Sequence, residues 1–217
     1  MKTMVQTQSL VSAVEVIQPA DIEEVTRCLA ATFMREPMTR VLGITLEEFN
    51  HFAWLFVSKA AREGLSLMAR DPGTGEVMGC LVAEDFVTDA PEGMETISEK
   101  FWPIFSLLGG LDEAYKENNP VVRGQLYHIF MVGVHREYSG SGVIHRLNMA
   151  AERLAQQKGY KGAIGEATGP ISYGIYTRRQ YFKEVDAIAC HDFRFEGKAV
   201  FADIIDCGSC RLLLKMF

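Results

Sequence analysis

The sequence predicts an α/β protein, in which helices flank a central mixed β-sheet of parallel and antiparallel strands. Segments of strand and helix character alternate in the order βααββ and then, after an acidic stretch, βαβαββ. With 48% hydrophobic residues, the 217-residue chain can fill one sizeable core. No internal repeat or low-complexity linker divides it, so we expect a single domain over residues 13–217 after a flexible N-terminus at 1–12.

The first predicted elements are a strand and two helices. Residues 13–19 (AVEVIQP) favour a strand, and DIEE at 21–24 has the Asp-x-x-Glu form of a helix start. Pro37 disfavours helical geometry at the residue before it, so this helix should end near the proline. The motif TLEE at 45–48 is a second capping signature, and it predicts that another helix begins there.

A hairpin and an acidic segment follow. Residues 65–70 and 76–85 flank DPGTG, whose Pro and Gly content is typical of a turn, and they predict two antiparallel strands. Residues 84–117 contain nine Asp or Glu and two Lys, without a strand pattern. Their net charge of −7 exceeds the −6 of the whole chain, so the acidity is local. We interpret residues 84–120 as an acidic insertion. The alternative is that these acidic residues simply form a solvated surface.

The second half contains the most hydrophobic predicted strand, at 125–134, and then an amphipathic helix over 143–155. Gly159 is a natural stop for that helix. The remaining predicted elements are a strand, a short helix and two last strands, at 161–168, 171–180, 185–193 and 199–205.

Composition excludes several classes of function. The net charge of −6 argues against nucleic acid as a partner, because nucleic-acid binders present a concentrated basic face. No apolar run approaches membrane-spanning length, and the N-terminus has no uninterrupted signal-peptide core. Five scattered cysteines do not suggest a disulfide framework, so we expect free thiols and a cytoplasmic protein.

The turn YSGSG at 138–142 joins the hydrophobic strand to the amphipathic helix. The first N–H groups of a helix have no partner within it and lie at the positive end of its dipole, so they can bind phosphate. Gly140 and Gly142 allow unusual dihedrals and close approach of an anion. An ordinary strand-to-helix connection is the alternative. The turn is neither a P-loop nor a dinucleotide fingerprint, since Val-Ile-His follows Gly142.

The segment VHREYSGSGVIHRL, at 134–147, resembles the strand, turn and helix of the GNAT (GCN5-related) N-acetyltransferases. That family's Arg/Gln-x-x-Gly-x-Gly/Ala turn cradles the pyrophosphate of coenzyme A. Ser139 falls on the Arg/Gln position, Gly142 on the first glycine and Ile144 on the last small residue, so one of the three positions matches. The resemblance implies the GNAT acyl-CoA N-acyltransferase fold.

Two further segments resemble the same superfamily. EATGPISYGIYTRRQYF, at 166–182, is similar to the family's strand and following helix, and it places the usual catalytic tyrosine at Tyr176. FMREPM, at 33–38, is similar to a segment of the arylalkylamine N-acetyltransferase-like branch, which carries the general-base glutamate at Glu36. A solvated acidic residue at a helix end and a half-buried packing tyrosine remain the alternatives for these two.

The resemblance implies transfer of acetyl from acetyl-CoA, as co-substrate, to a primary amine of a small molecule such as an arylalkylamine, by direct attack in a ternary complex without a metal. Glu36 would act as base and Tyr176 as acid. We expect a monomer or homodimer, with no nucleic acid or membrane as partner. The expected coenzyme-binding residues are Val132, Gly133, Val134, Ser139, Gly140, Ser141, Gly142, Val143, Ile144 and Ser172.

The acidic insertion would then be a lid over the acceptor side. Five apolar residues within it could receive an apolar or aromatic amine: Phe101, Trp102, Phe105, Leu107 and Leu108. The alternative function is a catalytically weakened GNAT-like acyl-CoA-binding or regulatory protein, which the non-matching Ser139 and Ile144 favour.

Overall fold

The computed structural model describes residues 13–204 and 208–217, so the predicted flexible stretch at 1–12 lies outside the described residues. Seven strands of this part of the chain form one mixed sheet in the order β1-β2-β3-β4-β5-β7-β6. The predicted fold class is confirmed. The strands are β1 Val14–Val16, β2 Leu67–Arg70, β3 Val77–Asp85, β4 Leu126–Val134, β5 Gly162–Ala167, β6 Lys183–Ala189 and β7 Ser209–Met216.

Helices cover both faces of the sheet. On one face α1, α3 and α4 bury a cluster of phenylalanines and aliphatic residues, and on the other α5 and α6 pack over β3, β4 and β5. The helices are α1 Ile22–Phe33, α2 Pro37–Val41, α3 Leu46–Glu63, α4 Trp102–Asn118, α5 Val143–Gln157 and α6 Pro170–Arg179. The acidic insertion therefore contributes a helix to the core. None of the described helices is long and apolar enough to cross a membrane.

Of the two capping motifs predicted from the sequence, the one at Thr45 caps a helix with its side chains and the one at Asp21 does not. Thr45 and Glu48 form a reciprocal capping box at α3, with Oγ1 accepting from the Glu48 N–H at 3.2 Å and the carboxylate accepting from the Thr45 N–H at 2.7 Å. Asp21 does not cap α1 with its side chain. Its carboxylate accepts from the Gln18 N–H and pairs with the guanidinium of Arg70 instead.

The last strand lies later in the sequence than predicted. Residues 199–204 form turns rather than a strand, and residue 205 lies outside the described residues. The apolar residues of this segment pack into the core without forming a strand. Phe201 is buried and stacks on Phe193 with ring centroids 5.6 Å apart. The final strand is β7, which pairs antiparallel with β5 and β6.

The expectation of free thiols is only partly confirmed. Cys28, Cys80 and Cys210 are buried and free, whereas Cys190 is disulfide-bonded. Spacing alone could not reveal this bond, because a disulfide depends on which cysteines the fold brings together.

The feature that positions the site is the separation of β4 from β5. These strands pair in parallel only from Leu126 to His128, opposite Gly162 to Ile164. A register shift between Val82 and Ala83 of β3 leaves Phe130 as an extra residue in β4, which bends the strand. Beyond His128 the two strands diverge, and a gap opens in the middle of the sheet.

Candidate active site

A cavity of about 880 Å³ passes through this gap. One end reaches the turn before α5, where Ser139 and Gly142 line it, and the other end reaches the phenylalanines of α3 and α4. Glu36 and Tyr176 both line its walls. The cavity therefore connects three segments that are distant in the sequence, since Glu36 precedes the turn by about a hundred residues and Tyr176 follows it by more than thirty.

The turn before α5 presents unpaired N–H groups. Gly140 and Gly142 have φ values of +77° and +82°, a region that favours glycine. The first intrahelical bond runs from Arg146 N–H to Gly142 C=O, and the N–H groups of Gly142, Val143 and Ile144 donate to no acceptor among the described residues. These groups lie at the N-terminus of a 15-residue helix, where they can hold an anion.

Arg146 brings a positive charge to the turn from the second helical turn of α5. Its Nη1 donates to the Ser141 carbonyl at 3.2 Å, so the guanidinium lies against the loop. Ser141 uses its own hydroxyl within the turn, donating to the Tyr138 carbonyl at 2.6 Å. Ser139 has no positive charge at the position where the GNAT turn has Arg or Gln, but Arg146 places a guanidinium against the same turn.

The backbone of β4 offers further groups to the cavity. The His135 N–H donates to the Met78 carbonyl on the β3 side, and N–H groups alternate between the two sides of a strand. The N–H groups of Val132 and Val134 consequently face the gap, and both residues line the cavity. Gly133 faces α1, where an added Cβ would lie 3.1 Å from Thr32 Oγ1.

Glu36 lies at the entrance to α2 as its N-cap residue, with extended backbone dihedrals that Pro37 requires. Burial raises the pKa of its carboxyl above the ordinary value, and the charge of Arg35 opposes this shift only in part. Its side chain makes no hydrogen bond or ion pair to the described residues. A half-buried carboxyl group with a raised pKa and free oxygens can accept a proton.

Tyr176 lies on α6 with its ring buried against Phe182, centroids 5.1 Å apart. Its hydroxyl donates to Asn148 Oδ1 on α5 at 3.2 Å. Burial raises the pKa of the phenol above its usual value, which the Asn148 hydrogen bond offsets only in part. The phenol therefore keeps its proton at neutral pH. Ser172, on the same helix, lines the cavity and donates to the Gly169 carbonyl at 3.0 Å.

An aromatic pocket forms the end of the cavity between α3 and α4. Phe52 stacks on Phe101 with centroids 4.5 Å apart and contacts Phe105 edge-on at 5.9 Å. Of the five apolar residues predicted for the acceptor side, Phe101, Phe105 and Leu108 line the cavity. Trp102 and Leu107 do not, since the indole lies outside Phe105 and Leu107 is packed into the core.

A cluster of buried charges lies under this pocket, and the sequence interpretation missed it. His128 Nε2 lies 3.1 Å and 3.2 Å from the two carboxylate oxygens of Glu166, and its Nδ1 lies 3.4 Å from Glu84. Lys59 pairs with Glu84 at 2.6 Å, and Asp112 of α4 hydrogen-bonds Glu166. The members of the cluster are separated in sequence and form no motif. The one sequence signal for them is a charged or titratable residue within an apolar segment.

The cluster is held by mutual charge. Burial alone would lower the pKa of His128, but the carboxylates of Glu166 and Glu84 raise it well above its ordinary value. His128 in turn keeps the pKa of Glu166 low against the effect of burial. Burial, reinforced by the charge of Glu166, raises the pKa of Asp112 to about 8. Asp112, His128 and Glu166 are close enough for a metal ion, yet both imidazole nitrogens are engaged by carboxylates, which indicates an ion-pair cluster.

Comparisons with known proteins identify the fold. No family model and no curated protein sequence matches the chain. The C-terminal condensation domain of Ebony, solved with beta-alanyl-dopamine, superposes with a TM-score of 0.86 at 18% identity, over 95% of this chain and 99% of that one. Arylalkylamine N-acetyltransferase 2 from Aedes aegypti gives 0.77 at 19% identity over 94% and 98%. The Drosophila melanogaster polyamine N acetyltransferase gives 0.76 at 16% over 95% and 100%.

The chain has the GNAT fold. Of the twelve site residues predicted from the sequence, ten line the cavity of this GNAT fold, and Gly133 and Ser141 do not. The two candidate catalytic side chains and the turn, which come from three segments, are therefore brought to one cavity. The roles assigned to them remain predictions.

Proposed function

We propose that the protein is an N-acetyltransferase that transfers acetyl from acetyl-CoA to the primary amine of a small molecule, with arylalkylamines as the acceptor class. The observation that carries this proposal is the continuous cavity, which joins an anion-binding turn to an aromatic pocket through the strand gap. A thioester in the gap and an amine in the pocket would meet beside Glu36 and Tyr176.

The donor side would bind acetyl-CoA through backbone groups. The free N–H groups at Gly142 to Ile144 and the guanidinium of Arg146 would hold the pyrophosphate. The gap-facing N–H groups of Val132 and Val134 would bind the pantetheine arm in the place where β5 would otherwise pair.

The acceptor side suits an aromatic amine. Stacked phenylalanines favour an aromatic ring, while the carboxylates of Glu36 and Glu166, which also line the cavity, favour a cation. Proteins of similar structure include an arylalkylamine N-acetyltransferase, a polyamine N acetyltransferase and a condensation domain in complex with beta-alanyl-dopamine. Two of these proteins are named for the N-acetylation of amines, which supports this acceptor class.

The reaction requires a proton acceptor first. An amine with a pKa near 10.4 is uncharged in only about one of 2,500 molecules at pH 7, and deprotonation there costs roughly 4 to 5 kcal/mol. Glu36 would take that proton, directly or through water, since burial raises its pKa towards that of a useful base.

The freed amine would attack the thioester carbonyl, forming the C–N bond. A gap-facing N–H of β4 would stabilise the charge that develops on the carbonyl oxygen. As the C–S bond breaks, Tyr176 would donate its hydroxyl proton to the departing thiolate. The nitrogen then loses its extra proton, a proton returns to the tyrosinate of Tyr176 through solvent, and the products are the acetamide and the free thiol of coenzyme A.

The test is thiol release from acetyl-CoA by the purified protein across a panel of arylalkylamines and polyamines, with the amide identified by mass spectrometry. We expect amine-dependent thiol release, fastest with arylalkylamines. Isothermal titration that shows acetyl-CoA binding without thiol release for any amine would instead establish the coenzyme-binding or regulatory alternative.

A further inference from the structure

Glu166 combines two properties that rarely occur together. Its side chain is only 3% exposed, yet it lines the cavity. It lies on β5 two residues beyond the last β4–β5 pair, at the closed end of the gap. The strands are still close here, because an added Cβ at Gly165 would lie 2.8 Å from the Ile129 carbonyl. A carboxylate therefore closes the narrow end of the cavity.

The surroundings of Glu166 keep it ionised and fixed in place. His128 contacts both of its oxygens, at 3.1 Å and 3.2 Å, and is itself held at Nδ1 by Glu84. Burying an unpaired carboxylate costs several kcal/mol, which this pairing offsets. Asp112 hydrogen-bonds Glu166, but its Oδ1 is buried and has no hydrogen-bond partner among the described residues. The cluster therefore retains unused acceptor capacity.

An ion pair with a purely structural role could be buried away from the cavity, whereas Glu166 lines the cavity wall. Glu166 has up to four acceptor positions, and the partners above use only some of them. The wall around it is apolar, with Ile129, Phe130 and Phe105 among its members. An entirely apolar ligand would leave the carboxylate desolvated without a new partner, which is unfavourable. A ligand with several N–H donors would supply what the site lacks.

We infer that Glu166 forms an ammonium-binding subsite at the closed end of the strand gap. The inference rests on the proposed function, which brings two ligands to this cavity. The ammonium group would belong to the acceptor amine or, where the donor thioester carries an aminoacyl group in place of acetyl, to that acyl chain. The subsite differs from Glu36, the proposed base, whose carboxylate has no cationic partner within bonding distance among the described residues.

The experiment measures binding to wild type and to Glu166→Gln by titration calorimetry, without turnover. Two matched pairs of probes separate the sources: phenethylamine against 2-phenylethanol for the acceptor, and beta-alanyl-pantetheine against butyryl-pantetheine for the donor. We expect the substitution to weaken one of the two ammonium probes at least tenfold and its neutral counterpart less than twofold. The probe that loses affinity identifies the source.

Three results would overturn the inference: unchanged affinity for both ammonium probes, equal losses for ammonium and neutral probes, or no millimolar binding of either ammonium probe to wild type. If Glu166→Gln does not fold, the Glu166→Gln/His128→Gln variant removes both charges of the pair and is measured in the same way. Thiol release in wild type together with unaltered ammonium binding in the variant would reject the subsite and keep the proposed function. Selective loss of ammonium binding in the variant, without turnover in wild type, would support the subsite and reject the proposed function.

Discussion

The two ends of the cavity are built in different ways. At the open end, the turn before α5 offers backbone N–H groups, two glycines with positive φ and one guanidinium, all from residues 138–146. At the closed end, Glu166 and His128 lie on neighbouring strands, and Lys59 and Asp112 come from separate helices. A contiguous anion site leaves a local sequence pattern, whereas a charge cluster assembled from distant segments leaves none. The predictions below test whether each end does what its construction suggests.

The largest effect is expected at Glu36. Glu36→Gln keeps the size of the side chain and removes the proton acceptor, so kcat/KM for amines at pH 7 should fall about 10²- to 10⁴-fold. Acetyl-CoA affinity should not change. The loss should shrink as pH rises towards the pKa of the amine, because the free base then exists without help. Glu47→Gln, an exposed residue on α3, is the control. Full activity of Glu36→Gln at neutral pH would reject the base.

Tyr176→Phe should lower kcat about 10²-fold with little change in either KM, because only the departing thiolate needs the proton. A thioester of a more acidic thiol should recover most of the lost rate. Tyr173→Phe is the matched control on the same helix, since that ring packs under the guanidinium of Arg211 at 4.7 Å. An equal loss with the activated thioester would show that the hydroxyl acts through its hydrogen bond to Asn148 instead.

Arg146→Ala tests the open end of the cavity. Removing one charged hydrogen bond to a phosphate costs about 1.5 to 3 kcal/mol, so acetyl-CoA affinity should weaken roughly 10- to 100-fold. The difference from wild type should diminish at high salt, because the contact is electrostatic. Arg153→Ala, exposed on the same helix, should change nothing. Calorimetry that gives the same affinity for wild type and Arg146→Ala would remove the guanidinium from the site.

Phe105→Ala tests the aromatic pocket. An aromatic contact contributes about 0.5 to 1.5 kcal/mol beyond burial, so the KM for an arylalkylamine should rise roughly tenfold while acetyl-CoA affinity stays constant. Trp102→Ala is the comparison, since this indole contacts Phe105 from outside the cavity. Loss of coenzyme affinity in Phe105→Ala would mean that α4 covers the donor rather than the acceptor.

The last prediction concerns the stability of the closed end rather than binding or rate. Burial raises the pKa of Asp112 from its ordinary value of 3.8 to about 8, so the folded state binds more protons than the unfolded state between these pH values. The free energy of unfolding should therefore fall as pH rises from 4 to 8, because the folded state must give up a proton that it binds more tightly than the unfolded state does. Asp112→Asn should flatten that dependence in urea titrations. A slope identical to wild type would mean that Asp112 is ionised throughout.

Local patterns predicted most of the fold. The capping box at Thr45, the turn at 71–75 and the stop at Gly159 depend on residues within a few positions of one another, and the structure shows all three. The prediction of a strand at 199–205 was wrong, because Phe201 and Ile204 are buried although residues 199–204 form turns. Hydrophobicity alone cannot distinguish a buried turn from a strand.

The sequence by itself determined most of the strands and helices, the glycine turn and the candidates Glu36 and Tyr176, since these depend on neighbouring residues and on a family-like pattern. Only the tertiary structure decided that β4 and β5 separate after His128, that Arg146 folds onto the turn and that Glu166 is paired within the cavity. The physical reason is that desolvation and ion pairing depend on what surrounds a side chain, and those surroundings come from residues distant in sequence.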